Sequence, residues 1–487
     1  MRRIFSHPVF ALAAGLCLRL FFVLKFPGES GDTGLYEEIA KNWVKEHSYA
    51  TGAHGALTPV DVRMPGYPAF LAVIYAITGR SGEPARLWVM IAQVGTDLIS
   101  CCAIAGLCCL LAGGVSGKIE NKRVFTAGIW LAALCPFTAN YVAVPLTETF
   151  VVLLTSLALT FFVLQFLRLE QSGVFLGHYD FVFNHKPQLF GAFGGLFVGL
   201  ATLFRPESPL LLLPLWITLG WVLYRRKEMR LWLRSAILSG IACAIPLAPW
   251  AIRNAITLHE VQFLTPKYST APGELVPYGF MAWEKTWLYR MRDCYAVPWK
   301  LNDEEIKMEE IPARAFDSPE EKRRVAAILE QYNADLTLTR EEDDAFGQIA
   351  QERTRRHPLR AFLWIPAARF IAIWFTPRIE LLPISGNVFP LAKMRELDPE
   401  DQEFTILLFF INVFYLGLGA WGARRLWRSS SAVRPLVAFL ILFLLLRTAF
   451  LTTLETPEPR YVLVCFPVVI ALGAQLFAEK PEPQPGP

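Results

Sequence analysis

PVFALAAGLCLRLFFVLKFPGESGDTGLYEEIA, residues 8–40, decides how this chain is read. Residues 8–26 form an apolar run of the ~20 residues that a helix needs to cross a hydrocarbon core. No small-residue cleavage site follows, so the run reads as a retained helix, with Arg19 and Lys25 expected to snorkel toward the outer surface. Directly after it, Glu29, Asp32, Glu37 and Glu38 place four carboxylates at the first exit from the membrane.

The rest of the chain repeats the apolar theme. Its 487 residues are 54% hydrophobic, 13% aromatic and only 18% charged, with a mean hydropathy of +0.36. That balance excludes an ordinary soluble domain and predicts an all-α polytopic membrane protein. About ten spans are expected, near 8–26, 85–112, 124–141, 147–165, 189–203, 209–224, 236–252, 404–422, 433–452 and 461–477. Arg2, Arg3 and the basic loops KIENKR (118–123), RRKEMR (225–230) and ARRLWR (423–428) should be cytoplasmic by the positive-inside rule, which puts both termini inside.

Two apolar runs do not fit as spans. PGYPAFLAVIYAITG (65–79) is short and opens with two prolines, and RAFLWIPAARFIAIWF (360–375) is interrupted by Pro366 and Arg369. The first is placed as an interfacial or re-entrant helix on the outer face, and the second in the outer interface too. The chain therefore divides into a transmembrane catalytic module, 1–252, with a first outer loop at 27–84; an extracytoplasmic, mainly helical region at 253–403; C-terminal transmembrane helices at 404–478; and a proline-rich, disordered tail at 479–487. Within the outer region, Ser318 and Glu321 have capping-box spacing. The nine cysteines show neither a disulfide framework nor zinc spacing.

Polar residues then collect at the outer ends of separate spans: Arg63, Glu148, Arg205, Glu207, Arg253, Asn254, Arg460 and Tyr461, joined by Asp32 and Tyr36 in the first loop. Ionisable groups at that depth are costly unless paired or hydrated, so they are candidates for function. Asp32 or Thr33 can cap the helix that follows, in which Leu35, Ile39 and Trp43 form an apolar face suited to lying on the membrane. Glu37 and Glu38 suit the helix dipole and solvent. Alternatively, Asp32 is a general base whose pKa is raised at the low-dielectric boundary. Arg63, Arg205, Arg253 and Arg460 can clamp a phosphate, or can snorkel or pair with neighbours such as Glu207. Glu148 can orient an acceptor or share a divalent cation with Asp32, unless it only serves a helix start capped by Thr147. His47, His54 and His259 lack ligand spacing, so no metal set is read from them.

GDTGLYEEIA, RMPGYPAFLAVIYAITG, LTET, LFRPES, PWAIRN and EPRYVLVCFPVVIALGA, in this order, resemble the membrane glycosyltransferases of the C superfamily. Within it, the chain is most similar to the bacterial protein-mannosyltransferase-like branch that includes lipid A aminoarabinose and galacturonosyl transferases. The resemblance runs from about residue 8 to 477 and is weakest between 267 and 403. It implies inverting transfer of a sugar from a polyprenyl-phosphate donor to a lipid, glycan or protein acceptor. The site would lie on the extracytoplasmic side of the inner (cytoplasmic) membrane. Asp32 and Glu148 would be the acidic catalytic residues. Arg63, Arg205, Arg253 and Arg460 would meet the donor phosphate, and Tyr36, Tyr67, Glu207, Asn254 and Tyr461 the substrates. Met64 stands where the aminoarabinose transferases carry a lysine, which argues against that sugar.

Membrane lipids are the other partners, and nothing points to nucleic acid. No GxxxxGK[ST] loop is present, consistent with a donor that is not a nucleotide. The rival class is a transporter or flippase for a lipid-linked or anionic solute, using the same arginines as an anion path.

Overall fold

The computed structural model describes residues 7–52, 56–116, 121–170, 186–266, 268, 275–379, 381–384, 386 and 388–478. Arg2, Arg3, His54, Lys118 and the tail 479–487 lie outside the described residues. The protein is an all-α polytopic membrane protein. Among the described residues, eight helices are long and apolar enough to cross a membrane, or up to ten if each of two bent pairs is one span.

The N-terminal half comprises α1 (Pro8–Lys25), α2 (Gly31–Glu46), α3 (Gly66–Thr78), α4 (Arg86–Ser116), α5 (Lys122–Ala133), α6 (Glu148–Glu170), α7 (Pro187–Thr202), α8 (Leu212–Arg225), α9 (Met229–Ala244) and α10 (Ala248–Thr257). Then come α11 (Tyr278–Lys285), α12 (Pro319–Asp335), α13 (Arg340–Arg356) and α14 (Ile365–Phe375), and finally α15 (Pro399–Ser429), α16 (Arg434–Leu451) and α17 (Phe466–Ala474). Each expected span falls on an apolar helix. The segment at 189–203 is the shorter helix α7, and 124–141 is bent by 47° where Pro136 restarts the chain after α5. Helix α3 is too short to cross, as its length predicted. The run at 360–375 turns 99° away from α13 and exposes Phe362 and Trp364.

The bundle contains a charged pair that the sequence placed elsewhere. Arg19 does not snorkel: it is fully buried, and its Nε donates to Asp97 of α4 at 2.7 Å. Its Nη1 donates to the carbonyls of Gly15 and Ala133 at 2.8 and 2.7 Å. A fully buried guanidinium is tolerable only with its donors satisfied this way, and the result ties α1 to α4 and α5.

Residues 275–356 have a separate core of Phe280, Trp283, Trp287, Val325, Tyr332 and Phe346. Ser318 caps α12 as expected, its Oγ accepting from Glu321 N at 3.1 Å. The reciprocal half of that box is displaced, Glu321 Oε1 accepting from Asp317 N at 3.3 Å, whereas Thr339 and Glu342 form a full capping box at α13. This unit is fastened to the loop before α17: Lys285 lies 2.6 Å from Glu455, and Arg369 of α14 bridges the two, donating to Leu288 O at 2.8 Å and to the carbonyls of Thr452 and Leu454 at 3.1 and 2.8 Å.

Candidate functional site

Helix α2 sorts the four carboxylates of the first loop. Its N-terminus is closed by Ser30 and Thr33, the Ser30 N–H donating to Thr33 Oγ1 at 3.0 Å, so Asp32 is not the cap. Glu37 is not a solvent-facing charge. Arg86 grips it through Nε at 2.8 Å and Nη2 at 3.1 Å and reaches Glu29 at 2.7 Å. Glu38 accepts the Gly52 N–H at 2.7 Å and so ties α2 to the two-stranded ribbon of Ala50–Thr51 and Thr58–Pro59. The apolar face of α2 does not lie on lipid: Leu35, Ile39 and Trp43 pack on Tyr49, Val60, Met64 and Trp250. Protein surface offers that stripe closer packing than lipid tails do, and α2 is thereby fixed in orientation.

Asp32 is left facing a cavity of about 820 Å³ at the end of the bundle. Its carboxylate lies 2.6 Å from Arg63 and 3.6 Å from Arg460. On the opposite wall, Arg205 pairs with Glu148, donates through Nε to Thr147 Oγ1 at 3.0 Å, and stacks 4.8 Å from the Tyr461 ring. Arg460 lies 3.9 Å from Glu148 and pairs with Glu458, whose Oε1 also accepts the Tyr461 hydroxyl at 2.6 Å. The remaining walls are apolar: Leu213 and Trp216 of α8, Phe450 of α16, and Leu454.

The short connections bring these groups together. Gly66 starts α3 directly against the end of α7, its N–H donating to Leu203 O at 2.7 Å. A Cβ there would come within 2.6 Å of that oxygen, so this contact requires glycine and draws Arg63 and Arg205 to one cavity.

Burial pushes the Asp32 carboxyl up, but the guanidiniums of Arg63 and Arg460 outweigh it and hold it below the usual carboxylate range. The raised pKa expected from the interface is therefore reversed, because the charged neighbours lie closer than the apolar walls. Burial pushes the Tyr36 phenol up, so it stays a neutral hydroxyl. The donor set does not suit a divalent cation: Asp32, Glu148, Glu207 and Glu458 each already face an arginine, and among the described residues no metal-binding group of three or more His, Cys, Asp or Glu occurs.

Not every expected residue reaches the cavity. Arg253 donates to Tyr49 O at 2.6 Å and Val60 O at 2.7 Å, between the Tyr49 and Trp250 rings, and so braces the first-loop ribbon. Asn254 is buried beside it, donating to Gln262 O at 3.3 Å. Tyr67 lies behind Tyr36, with ring centroids 5.1 Å apart, and donates to Gln93 at 2.7 Å. Two residues were missed. Arg447 of α16 holds Glu207 at 3.1 Å, whereas Arg205 is 3.9 Å from it, and Glu458 orients Arg460. Arg447 had a signal, a charge inside an apolar span. Glu458 had none beyond its place beside EPRY.

Fold and cavity together define a multi-pass membrane protein with a charged site at one end of the helix bundle. No protein-family model matches the chain, and no curated protein does. Among solved structures it is similar to the archaeal oligosaccharyltransferase AglB from Archaeoglobus fulgidus in complex with an inhibitory peptide and a dolichol-phosphate. That match has 14% identity and a TM-score of 0.46, and covers 96% of this chain and 50% of that one. It is also similar to ArnT from Cupriavidus metallidurans bound to undecaprenyl phosphate, with 14% identity, a TM-score of 0.40, and 96% and 77% of the two chains covered. The chain thus spans about half the length of the oligosaccharyltransferase it matches. Both likenesses are too distant to carry a functional argument, which rests on the cavity.

Proposed function

We propose that this protein is an inverting glycosyltransferase of the cytoplasmic membrane. It would move a sugar from a polyprenyl-phosphate donor to a lipid, glycan or protein acceptor on the outer side. The observation that carries this reading is Asp32 held between Arg63 and Arg460 in a cavity that Arg205 and Glu207 also line and whose remaining lining is largely apolar, with Leu213 and Trp216 of α8 and Phe450 of α16. An isoprenoid tail suits those walls, and the phosphate suits the arginines.

The charges also suggest a sequence of events. Asp32, Arg63, Arg205, Glu207 and Arg460 line the cavity, and Glu148, Glu458 and Arg447 pair with them from behind, so that four carboxylates balance four guanidiniums. A donor phosphate competes with Asp32 for Arg63 and Arg460, so the Asp32 carboxylate loses the partners that depress its pKa and becomes a better base. It then takes the proton of an acceptor hydroxyl or amine as that atom bonds to the anomeric carbon. The bond from that carbon to the phosphate oxygen breaks on the opposite side, which inverts the centre. Polyprenyl phosphate leaves with the bonding electrons, its charge met by the arginines. Glu148 and Thr147 keep Arg205 aimed, and Tyr36, Glu207 and Tyr461 shape the sugar site.

A transporter fits less well, since these polar groups gather at one face rather than near the midplane. The test is mass spectrometry of envelope lipids, glycans and glycoproteins from cells with and without the protein, followed by transfer from the matching polyprenyl-phosphate sugar with purified protein. A product lacking one sugar in the deletion, restored in vitro, is expected. An unchanged envelope profile together with no transfer overturns the assignment.

A further inference from the structure

We infer that the protein carries a second lipid site, for an anionic phospholipid, at the end of the bundle opposite the catalytic cavity. A groove of about 450 Å³ runs between α15, α16 and α17. Its walls are Leu416 and Ala423 of α15, Ile441 of α16 and Leu472 of α17, and apart from two arginines every residue lining it is apolar or glycine. From Leu416 to Arg428 the groove follows α15 for about 18 Å at the helical rise, slightly more than half of a ~30 Å hydrocarbon core. That is the reach of one leaflet's acyl chain.

Charge decides the headgroup. Arg424 and Arg428, one turn apart on α15, line the far end of the groove beside Trp427. Both are exposed, and neither has an ion pair or hydrogen bond to its side chain among the described residues. Their neighbour Arg425 differs, donating to Leu476 O at 2.7 Å and Ala478 O at 3.0 Å to fasten the end of α17. Two unpaired guanidiniums at the interface, capping an apolar channel of leaflet depth, complement a phosphodiester headgroup with a net negative charge. Helix α16 returns from this end to Phe450 in the catalytic cavity. The span from Arg434 to Phe450 is about 24 Å at the helical rise, which separates the two sites by most of the membrane.

Native mass spectrometry of the detergent-purified full chain tests this, with dioleoyl-phosphatidylglycerol and dioleoyl-phosphatidylcholine as probes of identical tails. The wild type should retain phosphatidylglycerol preferentially. The double variant Arg424→Gln/Arg428→Gln should lose that preference by roughly 30-fold, at about one kcal/mol per basic residue. Arg424→Lys/Arg428→Lys should keep most of it. Ala423→Trp, which fills the groove and leaves both arginines in place, should weaken retention of both lipids. Equal retention of the two lipids by the wild type overturns the proposal, as does a preference unchanged by Arg424→Gln/Arg428→Gln or retention unchanged by Ala423→Trp. Displacement of phosphatidylglycerol from the arginine-dependent site by an equal concentration of undecaprenyl phosphate overturns the phospholipid assignment. Sugar transfer is not read in this experiment, so its outcome is independent of the catalytic proposal.

Discussion

Asp32 and Arg63 stand 2.6 Å apart, although a helix and a two-stranded ribbon lie between them in the chain. The contact joins the start of the first loop to the segment just before α3, both lining the cavity, and depresses the pKa of the Asp32 carboxylate.

Asp32→Asn keeps the size and shape of the side chain and removes its charge. Transfer from a polyprenyl-phosphate sugar should fall by about 10²–10⁴ in kcat if Asp32 takes the acceptor proton. Donor affinity should hold or rise, since a competitor for the arginines is gone. Near wild-type turnover by a correctly inserted variant rules out the role.

The pH profile gives a second reading. Asp32 acts ionised, and its folded pKa lies below the usual range, so kcat/KM should stay level at neutral pH and fall only as pH drops through that depressed value. Arg63→Ala removes the nearest cation, so the acid limb of kcat/KM should move to higher pH while KM for the donor rises. An acid limb that stays in place shows that the titrating group is not Asp32.

Within the bundle, Asp97→Leu strands the buried Arg19 guanidinium. Removing one member of a buried pair costs about 3–5 kcal/mol, whereas replacing both by apolar groups of similar volume is far milder. Thermal unfolding in detergent should show a large drop for Asp97→Leu and substantial recovery in Arg19→Met/Asp97→Leu. Equal losses in the two proteins mean that the pair is not coupled.

At the junction with the outer unit, burial raises the Glu455 carboxyl, but Lys285 and Tyr268 bring it down to about 2. A depressed acid contributes stability that is complete above its unfolded value and is lost as pH falls through the folded one, here from about pH 5 toward 2. The adjacent Glu284, pushed well above the carboxylate range by burial, is already protonated in the folded state there, so its own contribution grows as pH falls to its unfolded value and offsets part of this loss. In Lys285→Ala the loss should begin at higher pH, read as faster amide hydrogen exchange across 278–296. Identical pH dependence in variant and wild type means that Glu455 does not hold the junction.

The sequence by itself determined the spans and that α3 is too short to be one, because hydrocarbon thickness and backbone hydrogen bonding allow few alternatives. It also brought Asp32, Glu148, Arg205 and Arg460 to one face, since each follows or precedes a span end. Only the tertiary structure decided their partners. Whether Arg205 meets Glu207 or Glu148, and whether Arg253 faces phosphate or backbone carbonyls, depends on contacts between distant segments. Such ion pairs differ by an ångström or two across a cavity, and Coulomb energy at low dielectric turns that difference into a changed pKa. Local sequence carries no record of that distance.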